Sequence, residues 1–164
     1  MKQRILCLIL SISLLLCGCD FFGERIKEPV TFHYLCGNYQ EDLCCVIASE
    51  EREASGHLGD LSYLLALYLM GPTNDEYQLP LPAGTQIVSQ IQDGHILLEL
   101  PDTSQTLSDI EFSLACACLT LTCLEITNAE DVTIRSADRV KTLSPDTLTL
   151  IDTISDSTPS EETP

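Results

Sequence analysis

The stretch TQIVSQIQDGHILLEL, residues 85–100, decides the fold. Apolar and polar residues alternate on both sides of Asp93-Gly94, the period-two pattern of half-buried strands. An Asp-Gly pair between two such runs marks a two-residue type I′ hairpin, whose central positions both need positive φ. The register follows from that turn. Ile91 faces Ile96, Ser89 faces Leu98 and Ile87 faces Leu100, and these six are expected to share one buried face. Val88, Gln90 and Gln92 then share the other, mostly polar face with His95, Leu97 and Glu99.

Downstream, residues 108–127 read as a helix. Ser108 is placed as its N-cap, and Glu111 three residues on completes a capping box. At 100° per residue the apolar side chains fall into two sectors. Ile110, Leu114, Ala117, Leu121 and Leu124 form one; Phe112, Cys116, Leu119, Cys123 and Ile126 form the other. A helix with two apolar faces needs two surfaces: a sheet, and either another helix or a partner protein. Residues 131–137 (DVTIRSA) predict a strand, and residues 147–151 an edge strand.

Upstream, residues 61–70 (LSYLLALYLM) predict a helix capped by Asp60 and stopped by Gly71-Pro72. Apart from Ser62 it is apolar all round, so it is expected to be largely buried. Residues 30–36 (VTFHYLC) predict a strand, Gly37-Asn38 a turn, and residues 43–48 (LCCVIA) a second, interior strand. The charged run 50–53 reads as a connection, and residues 73–84, rich in proline and ending at Gly84, as a loop. The order gives an α+β single domain, with a mixed or antiparallel sheet and two helices on one face.

The chain begins with a short basic segment and an apolar run of about a dozen residues, too short for a bilayer span of roughly 20. It ends at Leu16-Cys17-Gly18-Cys19, a pattern that resembles the lipobox of bacterial lipoproteins. The implied chemistry is attachment of diacylglycerol to the Cys19 sulfur and cleavage before it. The expected organisation is therefore a signal peptide (1–18), a lipid anchor and tether (19–29), the folded domain (30–151) and a disordered acidic tail (152–164). Localisation is expected on the extracytoplasmic face of the cell membrane, with contact through the lipid alone.

The formal charge of −17 argues against nucleic acid as a partner, since phosphates would be repelled. Six cysteines remain beyond Cys19. None lies in a C-x-x-C pair or at a zinc-like Cys/His spacing, so no metal and no cofactor is expected. Cys116, Cys118 and Cys123 lie inside the long helix, where cysteine behaves as a small hydrophobe. Cys36 and Cys44 flank a turn and could be bridged. His33, His57 and His95 fall on separate elements, and no nucleophile elbow or phosphate loop occurs, so no catalytic residue is assigned.

The middle of the chain resembles the GerMN, or sporulation and spore germination, domain. The residues that carry the resemblance are Tyr34-Leu35, Leu69-Met70-Gly71-Pro72, Leu81-Pro82-Ala83-Gly84-Thr85, Asp93-Gly94, the long helix and Val132-Thr133-Ile134. The resemblance implies a ring-building-motif-like fold and a role in assembling envelope complexes, without catalysis. A homo-oligomer or an envelope protein is then the expected partner. Two departures weigh on a spore-specific role: the chain holds one domain copy, and residues 135–140 lack the glycine that often follows the last strand. The alternative is a lipid-anchored protein that captures a small ligand near loop 73–84, where Tyr77 is the sole aromatic.

Overall fold

In a computed structural model of the chain, residues 28–37, 46–101 and 106–148 are described. The strands are β1 (Pro29–Cys36), β2 (Ile47–Glu53), β3 (Tyr77–Gln78), β4 (Val88–Gln92), β5 (His95–Leu100), β6 (Asp131–Ser136) and β7 (Arg139–Leu143). The helices are α1 (Leu61–Leu69), α2 (Asp109–Ile126) and the short α3 (Pro145–Leu148). The fold is α+β. Its described strands form two sheets, ordered β2-β1-β3 and β4-β5-β6-β7. Only the β5–β6 pair is parallel, and α2 makes the crossover between them.

The β4–β5 hairpin has the register that its turn dictates, Ile91 opposite Ile96 and Ser89 opposite Leu98. Asp93 and Gly94 have φ of 51° and 84°, as a type I′ turn requires. Ile96, Leu98 and Leu100 are buried. Ile91 is exposed instead, because β4 is the edge strand and Ile91 lies at its turn end.

An aromatic cluster closes the core between β1 and α1. The Tyr34 and Tyr68 rings stack at 4.9 Å, and Phe32 meets both edge-on at 6.4 and 5.8 Å. Asp60 caps α1 by accepting from Tyr63 N–H at 3.0 Å. Gly71 ends it at φ 87° and Pro72 follows. The helix is not buried all round, however. Leu61, Leu64, Leu65 and Tyr68 face the core, while Tyr63, Ala66 and Met70 face out. Only one apolar layer, centred on Phe32 and Tyr34, is available to cover it.

The second strand also departs from expectation. β2, Ile47–Glu53, takes only Ile47 and Ala48 from the expected strand 43–48 and continues through the charged run; residues 43–45 lie outside the described residues. As an edge strand β2 needs no second apolar face, and its charges serve the end of α1. Arg52 donates to the carbonyls of Leu67 (3.4 Å) and Gly71 (2.9 Å), the C-terminal groups a helix leaves unpaired. Glu50 accepts from Thr73 N–H, Thr73 Oγ1 and Asn74 N–H. The strand expected at 147–151 is not one where it is described, since Pro145–Leu148 is helical; the last described strand is β7, folded back through Ala137 at φ 51°.

Candidate functional site

α2 is the element whose surroundings decide what the domain can do. Its capping box is complete: Ser108 N–H donates to Glu111 Oε2 at 2.8 Å and Glu111 N–H to Ser108 Oγ at 3.3 Å. The Ser108 backbone N–H holds the Glu111 carboxyl below the usual carboxylate range. The helix packs against β1 on one side and β6 and β7 on the other. On β7, Arg139 donates to the Leu107 carbonyl (3.0 Å) with its guanidinium 4.1 Å over the Phe112 ring, and Lys141 donates to Ser113 Oγ (2.8 Å).

Against β1 the helix approaches a strand edge. His33 N–H, facing away from the rest of the sheet, donates to Thr122 Oγ1 at 2.9 Å. Thr122, Ala115 and Cys118 lie on the same turn-spaced line and are all buried, so small side chains admit the close approach. The sector of Phe112, Cys116, Leu119 and Cys123 is buried as well. The opposite sector is not. Ile110 is 73% exposed, and Leu114, Ala117, Leu121 and Leu124 are only half-buried. Of that sector only Ile110 is exposed; the rest is partly covered, and Leu124 packs against the core.

The other candidate groups stay apart. His33 is half-buried, and burial lowers its pKa. His57 stacks on Tyr63 at 3.9 Å, and His95 Nδ1 lies 2.9 Å from Asp131 Oδ2 on the outer face of the four-stranded sheet. Among the described residues no three His, Cys, Asp or Glu side chains gather as a metal site. No described helix is long and apolar enough to cross a membrane. Depressions of about 370 Å³ and 430 Å³ lie over Gln90, His95 and Thr133, and between Phe112, Arg139 and Lys141. Loop 73–84 is tied down through Glu50, and Tyr77 packs half-buried against the core. At the loop's end Gly84 has φ 81°, and Thr85 donates back to the Pro82 carbonyl through N–H and Oγ1.

Burial pushes the Cys116 thiol up to about 11 and those of Cys118 and Cys123 up to about 12, so all three are protonated and inert. Cys36 is disulfide-bonded. Its expected partner Cys44 lies outside the described residues, as do Leu16, Cys17, Gly18 and Cys19 and the tail 152–164.

The first GerMN domain of the sporulation protein GerM from Bacillus subtilis superposes with a TM-score of 0.48 at 14% identity, covering 67% of this chain and 84% of that one. The tandem GerMN domains of the same protein give 0.45 at 15% identity, covering 68% of this chain and 40% of that one. The chain is similar to GerMN domains. No family model matches the chain, and no curated protein matches it.

Proposed function

We propose that this chain is a GerMN-like assembly module of the cell envelope, lipid-anchored on the extracytoplasmic face, that works by association and not by turnover. The incompletely covered sector of α2, open at Ile110 and partly buried from Leu114 to Leu124, carries the reading. A helix that buries one apolar face and leaves a second only partly covered offers surface that another protein can bury. The anchor rests on the Leu16-Cys17-Gly18-Cys19 pattern and the basic, apolar leader before it. The order of Gly71-Pro72, Pro82-x-Gly84-Thr85 and Asp93-Gly94 favours the GerMN-like type, and envelope or sporulation complexes are the setting that type suggests. Scattered histidines and inert thiols give turnover no support. Ligand capture at loop 73–84 is disfavoured, because Tyr77, its one aromatic, is spent on the core.

The test is size measurement of the full chain in detergent over a wide concentration range, with cross-linking in native membranes. A self-association constant, or a cross-link mapping to the Ile110–Leu124 sector, is the expected result. A strict monomer without cross-links that binds a small molecule would overturn it. Cys19→Ala reads the anchor separately: it should release the protein or leave an uncleaved precursor.

A further inference from the structure

The point where the tether joins the domain lies beside an uncharged, outward-facing helix surface. α1 has no charged residue in a chain with 25 acids and 8 bases. Its core side is Leu61, Leu64, Leu65 and Tyr68. On the other side Tyr63, Ala66 and the C-cap residue Met70 follow at i, i+3 and i+7, one line about 10 Å long. Tyr63 is 36% exposed and Met70 78%. Leu58, also exposed, lies just before the helix, and its neighbour His57 stacks on Tyr63.

The path of the chain supplies the second observation. Glu28, the residue before β1, is bonded to the segment that leads into α1. Ala54 N–H donates to the Glu28 carbonyl (3.0 Å) and Gly56 N–H to Glu28 Oε2 (2.7 Å). The tether thus joins the domain at Gly56, two residues from Leu58. Nine residue steps separate Glu28 from Cys19, a reach of at most about 30 Å. A lipid on Cys19 therefore holds the Glu28–Gly56 junction within about 30 Å of the bilayer.

We propose that the outer face of α1, Leu58, Tyr63, Ala66 and Met70, lies on the lipid surface and fixes how the anchored domain is oriented. The inference rests on acylation of Cys19. A surface of four side chains binds lipid weakly alone, but the tether makes the contact intramolecular and raises its effective concentration to the millimolar range or above. Tyrosine suits the interface because its ring is apolar and its hydroxyl stays wet. There is no charge on the helix to strip of water. Asp60 caps its start and Arg52 and Glu50 lie at its end, so the rim carries both signs and a zwitterionic surface is the match.

The chain has no tryptophan, so a single one reports cleanly. Met70→Trp places it on the proposed contact. Val140→Trp, at an exposed site on β7, three strands across the sheet from the β4 edge that α1 touches, is the control. Both full-length acylated proteins are put into phosphatidylcholine vesicles with brominated acyl chains. The Met70→Trp emission should shift to the blue and lose most of its intensity, and the Val140→Trp emission should keep both position and intensity. Equal quenching at both sites, or at neither, in protein whose mass carries the lipid would overturn the orientation and leave the anchor standing. A blue shift at Met70→Trp without quenching would also overturn it, since protein then covers the face. A mature mass without the lipid would remove the anchor and this proposal together.

Discussion

Gly94 shows how much one residue can decide. Its φ of 84° is in the left-handed region, and a Cβ there would meet only the Glu130 side chain at 3.7 Å, an ordinary contact. The demand for glycine is therefore conformational and not steric crowding. Valine at that φ costs about 1–2 kcal/mol or more, because its Cβ crowds the following carbonyl. Gly94→Val should lower the urea midpoint clearly. Gln92→Val, on the exposed end of β4 opposite His95, should leave it near the parent value. Equal losses would show that the register does not depend on the turn. This position was legible in the sequence because the Asp-Gly signal is local. So was the role of Cys116, Cys118 and Cys123, which their apolar helical neighbours give away. Ile91 was misjudged by the same logic: alternation tells which face a side chain is on, not whether another layer reaches it.

At the scale of elements, end signals were readable and partners were not. Asp60, Ser108 with Glu111, and Gly71-Pro72 set helix limits within a residue or two, since caps act over one turn. β2 was misplaced because its charges look like a loop, and what makes them a strand is distant: α1's open carbonyls and β1's ladder. The polar residues inside α2 were equally opaque. Thr120 and Thr122 are both fully buried, yet only Thr122 has work, accepting from His33 N–H. Thr120 Oγ1 finds no partner among the described residues. Valine has nearly the shape of threonine, so the pair makes a clean comparison. Thr122→Val strands a partly buried backbone donor and should cost about 1 kcal/mol. Thr120→Val removes an orphaned hydroxyl and should be neutral or stabilising. Thermal and urea unfolding of both variants checks this; matching losses would mean the helix does not seal the β1 edge through Thr122.

At the scale of the molecule, the α+β class and the order of elements through β6 followed from the sequence, apart from the two-residue β3 inside the expected loop 73–84, whereas the division into two sheets did not. Beyond the short pairing with β3, α2 meets that side of β1 at His33, a contact 89 residues apart in sequence. Charge is the property that belongs to the whole chain. The net value is −17, and it becomes two units more negative if Lys2 and Arg4 leave with a leader. Pairs such as Arg135–Glu99, at 3.4 Å with both side chains about half exposed, return little. Repulsion among the acids then dominates the long-range electrostatics and works against the compact state. Salt should relieve it. Between about 0.01 M and about 1 M sodium chloride the screening length falls from about 30 Å to about 3 Å, which silences distant repulsion before it touches close contacts. The urea midpoint should rise over that range, and rise less at acid pH, where the carboxylates are protonated. Guanidinium chloride would hide the effect, being a salt itself. A midpoint that fell with salt would mean that ion pairs carry the fold, and that its acid load is locally compensated.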